Sequence, residues 1–94
     1  MYGTIARVKV DPSKVDELKE LGRRMGVAPG QIARYVYQMD GDPGEIFLVA
    51  VFASREAYWA NAQSPEQNER FHELRALLLA DPEWHDGEII DVVQ

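Results

Sequence analysis

The chain has 94 residues, which suits one domain over 1–94, and carries a formal net charge of −6 with a pI near 4.8. Its Arg and Lys form no stripe, which removes the electrostatic footprint of a nucleic-acid binder, and zero Cys removes disulfides, thiolate catalysis and Cys-based zinc sites. No apolar run approaches the ~20 residues a membrane-spanning helix needs, and MYGTIARVKV lacks the apolar region of a signal peptide, so a cytoplasmic chain with no membrane partner is expected.

Residues 2–10 alternate like a strand, with Tyr2, Thr4, Ala6, Val8 and Val10 on one face and Gly3, Ile5, Arg7 and Lys9 on the other. Asp11-Pro12-Ser13 opens a helix: Asp11 caps with Pro12 in the first position, or Ser13 caps with Asp16 closing a capping box. Val15, Leu18, Leu21 and Met25 supply its apolar stripe, and Gly26, Pro29 and Gly30 end it. Gln31 to Asp40 reads as a second strand, and Gly41-Asp42-Pro43-Gly44 as a turn. Glu45 to Ala53 is a third strand, apolar on both faces, which calls for cover on both sides.

Ser54 caps a helix over 55–62. Ser64-Pro65-Glu66-Gln67 reads as a fresh start, so a separate helix is expected over 65–80, ended by Asp81-Pro82. Residues 88–93, EIIDVV, supply the last strand. The order β-α-β-β-α-β points to an α+β, ferredoxin-like fold: an antiparallel sheet with both helices on one face. The two-sided Ile46–Ala53 strand then asks for a homodimer joined through the open sheet face.

Three stretches carry a further likeness: FASREAYWANAQSPE, NERFHELRALL and DPEWHDGEII. Together with the element order, they make the chain resemble the dimeric α/β barrel proteins, and within them the antibiotic biosynthesis monooxygenase family. The resemblance implies a homodimer whose sheets close into a barrel, with a pocket in each subunit between helices and sheet. The superfamily includes quinone-forming monooxygenases without metal or flavin, haem-degrading enzymes, and members of no known activity. Haem-degrading members use an Asn on the first strand with a Trp and a His on the second helix. Trp59 and His72 suit the last two roles, and TIARVKV has no Asn. For the cofactor-free enzymes the resemblance implies Asn, Trp, Tyr and Arg groups around a polyphenol, and Tyr58, Trp59, Asn61 and Arg34 or Arg70 suit these chemically.

The leading expectation is a monooxygenase-like domain that needs no cofactor and acts on a small aromatic or polyphenolic substrate. In it, His72 is the base, Trp59 and Tyr58 are stacking walls, Asn61 is a hydrogen-bond donor to the oxygenated intermediate, and Arg34 clamps an anion or phenolate. Each has a plainer reading: a partly exposed helix histidine, core or interface aromatics, solvent-facing amides, and a salt bridge across the barrel. In Trp84-His85-Asp86, the adjacent His and Asp are not expected to face each other, and Trp84 is read as a plug of the core or dimer seam. Two His thirteen residues apart make no zinc site. The first alternative is a haem-binding or haem-degrading protein with His72 as ligand. The second is a non-catalytic dimeric module whose pocket holds a small ligand or is filled by its own side chains.

Overall fold

Strong period-two patterning builds a four-stranded antiparallel sheet, seen here in a computed structural model that describes residues 1–94. Its strands are β1 (Tyr2–Lys9), β2 (Gln31–Met39), β3 (Asp42–Phe52) and β4 (Glu83–Glu88), in the spatial order β2-β3-β1-β4. A short 3-10 turn (Pro12–Lys14) leads into α1 (Val15–Met25), and α2 (Arg55–Ala62) and α3 (Pro65–Leu77) precede β4. The fold is α+β with a ferredoxin-like order, as expected, and the helices share one face of the sheet.

Local chemistry explains the boundaries. The Asp11 carboxylate accepts from Ser13 N at 2.9 Å, so Asp11 is the cap and Pro12 takes the first position. Ser54 Oγ accepts from Ala57 N at 3.0 Å and Ser64 Oγ from Gln67 N at 3.1 Å, so each opens its own helix. Pro65 follows Ser64 directly, and the expected restart of the helix is therefore real. Gly30 adopts φ +78° between α1 and β2, packed so closely on Ala57 that a Cβ there would lie 2.7 Å from the Ala57 Cβ.

Three expectations are corrected. β3 begins at Asp42 instead of Glu45, because the chain reverses at Asp40-Gly41 and GDPG is already partly strand. α3 ends at Leu77 instead of Ala80: Leu78 turns to an extended conformation, is buried, and bridges Val10. The last strand is Glu83–Glu88, not 88–93. It pairs with β1 from Arg7↔Glu83 to Tyr2↔Glu88, with Gly87 opposite Gly3 inside the ladder and not in a turn. Past it, Ile89 N donates to Met1 O at 2.9 Å, and Ile90 and Val93 project into solvent.

Packing divides the sheet into zones. At one end Val8, Val10, Leu18, Ile46 and Leu78 form a buried apolar cluster, joined by Val15, Leu48, Leu74 and Leu77. At the other end Phe52, 2% exposed, packs edge-on to Tyr58 with ring centroids 5.4 Å apart, and Tyr2 lies 5.2 Å from Tyr58. On the face away from the helices, Ile5, Tyr35 and Tyr37 are exposed beside half-buried Phe47, Val49 and Val51. No helix is long and apolar enough to cross a membrane.

Candidate functional site

Strand register sets side chains into rows that run across the sheet beneath the helices. One row reads Arg34↔Ala50↔Thr4↔Asp86 from β2 to β4. On one side of it lies Val36↔Leu48↔Ala6↔Trp84, and on the other Gln31↔Phe52↔Tyr2↔Glu88. The centre of the first row holds only a methyl group and a threonine side chain, and the row beside it is again small at Ala6. Above these small side chains lies a cavity of about 480 Å³ between sheet and helices, within the size range of small-molecule sites. Leu21 and Met25 from α1, and Phe71 and Leu74 from α3, form its apolar roof. Trp84 closes the β4 side, with its ring 6.3 Å from that of Phe71.

The polar groups of the cavity fall into three sets. On the β4 side, Tyr58 Oη donates to Asp86 Oδ1 at 2.7 Å. Burial raises the Tyr58 pKa well above the ordinary tyrosine value, and Asp86 raises it further because a phenolate beside a carboxylate is disfavoured. The phenol therefore remains a proton donor to Asp86. On the β2 side, Arg34 donates to the Gly26 carbonyl at 2.9 Å and to the Gly22 carbonyl at 2.5 Å, capping the C-terminal end of α1. Its guanidinium has a lowered pKa, first from burial and then from the charge of Arg70. Arg70 lines the same cavity from α3. Between the two sides, Asn61, Gln67 and Asn68 present amides from the roof, where Asn61 Nδ2 lies 3.4 Å from Gln67 Oε1.

Tyr58, Asn61 and Arg34 thus line one cavity, and so do Asn68 and Arg70. Two other expected site residues lie outside it. His72 is exposed on α3: Gln67, Asn68, Arg70, Phe71 and Leu74 face the cavity, and at about 100° per residue His72 points roughly 130° away from their mean direction. A base role for His72 in this cavity has no geometric support. Trp59 is 40% exposed and lies roughly 110° round α2 from the face of Tyr58, Asn61 and Ala62. It meets Tyr58 edge-on with centroids 5.2 Å apart, so it braces that tyrosine from behind and is not a wall of the cavity. The salt-bridge reading of Arg34 gives way to helix capping.

Asp86 and Trp84 are the site residues that the sequence reading missed as such. Reading 81–87 as loop hid the alternation of Glu-Trp-His-Asp-Gly-Glu, which sends Trp84 and Asp86 to the cavity and His85 to the open face. His85 there contacts Glu83 at 2.8 Å. Neither histidine lines the cavity, and the Tyr58 phenol donates to Asp86, so the cavity offers a haem no histidine ligand. No cluster of three metal-ligating side chains is present.

Known structures share this architecture. A protein assigned to the antibiotic biosynthesis monooxygenases from Chloroflexus aurantiacus J-10-fl is 24% identical and superposes with a TM-score of 0.79, covering 99% of this chain and 96% of its own. Rv0793 from Mycobacterium tuberculosis is 21% identical with a TM-score of 0.76, covering 99% and 98%. An asparagine-to-alanine variant of SnoaB, a cofactor-independent oxygenase from Streptomyces nogalater, is 15% identical with a TM-score of 0.80, covering 98% and 95%. No curated protein sequence matches the chain significantly. At these identities the likenesses establish the fold. The family follows from the sequence itself, because the model of the antibiotic biosynthesis monooxygenases matches residues 1–74, from β1 through most of α3. The chain belongs to the antibiotic biosynthesis monooxygenase family.

Proposed function

We propose that the cavity is the active site of a monooxygenase that acts on a small hydroxylated aromatic and uses the substrate's own electrons to reduce oxygen. The observation that carries this reading is the cavity itself: a largely apolar lining, with amides on the roof, an acceptor carboxylate on one side and a cationic group on the other. Such a site binds a planar apolar ring against its apolar side chains and accepts a phenolic proton. Asp86 takes that proton, since its Oδ1 is held by Tyr58 and Oδ2 faces no protein donor. The phenolate passes an electron to oxygen, and the resulting pair joins through a new C–O bond. The amides of Asn61 and Asn68 hold the peroxide. Cleavage of the O–O bond with loss of the ring C–H proton releases water and leaves a carbonyl on the ring. Phenol plus oxygen thus gives quinone plus water, with no outside reductant.

The open sheet face favours a homodimer as the working form. In one subunit only 13 of 94 residues are buried, and the exposed apolar groups Ile5, Tyr35 and Tyr37 lie together on the uncovered side. Sheet-to-sheet packing of two copies covers them. Sedimentation of the purified protein tests this: a chain that remains monomeric at micromolar concentration removes the dimer from the reading.

Oxygen uptake with hydroxylated naphthalenes and anthracenes tests the activity. Replacing Asp86 by Asn keeps the shape and removes the base, and it lowers turnover by about 10²–10⁴-fold, the usual contribution of a positioned base. Wild-type turnover in that variant removes Asp86 from the mechanism. No oxygen uptake by the wild type with any hydroxylated aromatic removes the oxygenase reading.

A further inference from the structure

Of the 10 Lys and Arg side chains, Arg24, Arg34, Arg55 and Arg70 have no carboxylate within 4.0 Å, and the others do. Two of these four, Arg34 and Arg70, line the same cavity. Burial and then the charge of Arg70 lower the Arg34 pKa, so the two guanidinium groups oppose each other. Arg34 is held by the neutral carbonyls of Gly22 and Gly26 alone. The one carboxylate in the cavity lining is Asp86, at the far end of the row from Arg34. The β2 side of the cavity thus holds two cations and no acid.

The same side is an open edge of the sheet, because β2 and β4 are its outer strands. β4 carries Glu83, His85, Asp86 and Glu88, the kind of side chains that keep an edge from pairing. β2 is longer, has no proline and bears Arg34 as its one charge, and Tyr35, Val36 and Tyr37 are exposed along it. Its free backbone groups are a template for a further strand. The segment after β4 has the pattern such a strand needs. Ile89-Ile90-Asp91-Val92-Val93 is apolar but for one acid, and Ile90 and Val93 are 92% and 87% exposed. Laid along β2 with Asp91 opposite Arg34, it brings Asp91 to the helix face, with backbones about 5 Å apart. Alternation then turns Ile90 and Val92 to the open face, one of them opposite Tyr35, and sets Ile89 or Val93 opposite Val36. The match of acid to cation and apolar to apolar holds in both strand directions.

A subunit cannot lay this strand on its own β2. Asp91 is three residues past Glu88, a reach of about 10 Å. A strand outside β2 lies four spacings from β4, or about 19 Å. We propose that residues 89–93 of a second copy of this chain pair along the outer edge of β2, and that Asp91 of the partner subunit completes the cavity there by pairing with Arg34 and Arg70. The proposal rests on the homodimer of the reading above and adds a reciprocal exchange, in which each subunit lends the other an acid. Arg34, pinned by two backbone carbonyls, presents a fixed fork that suits a carboxylate. The apolar side chains that each copy exposes after β4 and along β2 are covered by the same contact.

The chain has no cysteine, so single introduced cysteines report the contact. Tyr35→Cys, Ile90→Cys and Val92→Cys are prepared separately, all at exposed positions. Antiparallel pairing sets Ile90 opposite Tyr35 and parallel pairing sets Val92 there, with Cα atoms about 5 Å apart and within disulfide reach. Tyr35→Cys is mixed with each of the other two, left to exchange subunits and oxidised. One of the two mixtures should give a covalent dimer well above the amount from any variant alone. Sedimentation should show a dimer at least ~10-fold weaker for Asp91→Asn, partly restored in Asp91→Glu, and a wild-type dimer that weakens as salt rises. No excess covalent dimer in either mixture, or an unchanged dissociation constant in Asp91→Asn, overturns the proposal. A dimer that sediments as such without the cross-link removes the strand exchange and leaves the face-to-face dimer standing. A cross-link without oxygen uptake supports the exchange and counts against the oxygenase reading alone.

Discussion

Replacing Ala50 by Leu separates a working cavity from one that is merely a gap in packing. Ala50 lies at the centre of the small-residue row, between Arg34 and Thr4, under the helical roof. The three added carbons occupy about 90 Å³, at roughly 30 Å³ for each water-sized group. That is close to a fifth of the 480 Å³ available. The new atoms meet Leu21, Met25, Phe71 and Leu74, all apolar. At about 0.8 kcal/mol for each buried methylene, the ceiling on stabilisation is about 2.4 kcal/mol. For a domain of this size that corresponds to a rise in Tm of roughly 10–20 °C at most. The same atoms stand where a planar ring would lie, so oxygen uptake and ligand binding should fall at least tenfold. Scanning calorimetry and an oxygen electrode on the same preparation read both quantities. A lower Tm would refute the reasoning, because overpacking an already filled site costs about 1–3 kcal/mol. A higher Tm with undiminished binding would place the ligand elsewhere and favour a module whose cavity has no use.

Other outcomes follow from single contacts. His72→Ala should leave oxygen uptake and binding within about twofold of wild type, because His72 is exposed and turned away from the cavity; a large loss measured at the electrode would restore it to the mechanism. Tyr58 is raised above its ordinary pKa of 10.0 in the folded chain, so below pH 10 folded and unfolded forms both hold its proton, and above it only the folded form does. Stability should therefore fall as pH rises from 10, by at most about 1.4 kcal/mol per pH unit, and by less because solvent screens this partly exposed group. Tyr58→Phe should flatten that limb in urea titrations between pH 10 and 12, and an unchanged slope would contradict the burial and Asp86 effects. Ser64→Ala removes the cap from Gln67 N and the bond to Asn61 O, and should lower stability by about 1 kcal/mol, or roughly 4–8 °C in Tm.

How much of this could be read from the sequence depended on whether the signal was local. Caps are local, so Ser54, Ser64-Pro65 and the bounds of α2 matched the structure residue for residue. The two-sided character of β3 was visible in IFLVAVFA, and the sheet order followed from the element order. The error at β4 has a physical origin. EIIDVV has the composition of a strand, but the ladder to β1 ends at Tyr2↔Glu88, with Ile89 N bonding back to Met1 O beyond it. WHDG has weak strand propensity and forms a strand because β1 offers it an edge. The site residues divided along the same line. Tyr58, Asn61 and Arg34 face the cavity. Trp59 and His72 were chosen for their chemistry, and their direction depended on helix phases set at Ser54 and Ser64.

The chemistry of the β4 side rests on one register choice. Because side chains alternate, moving β4 by one residue against β1 would turn His85 into the cavity and Asp86 out of it. The pairing of Gly3 with Gly87 lies next to the pair Thr4–Asp86 and carries no side chain on either strand. On β1 that lack is required: a Cβ on Gly3 would collide with the backbone carbonyl of Ala50, the floor of the cavity. Close approach of β1 to β3 at Gly3 therefore fixes the height of the floor, and the ladder from Arg7↔Glu83 to Tyr2↔Glu88 fixes which acid stands beside it. Tyr58 then holds that acid from α2, whose own start at Ser54 follows directly from the end of β3. The acceptor carboxylate is thus positioned by two strands and a helix, and the one other ionisable group these place on that side of the cavity is the Tyr58 phenol that holds it. A lone carboxylate on rigid elements, facing a cation across a row of small side chains, is an arrangement suited to orienting a substrate and removing one proton from it.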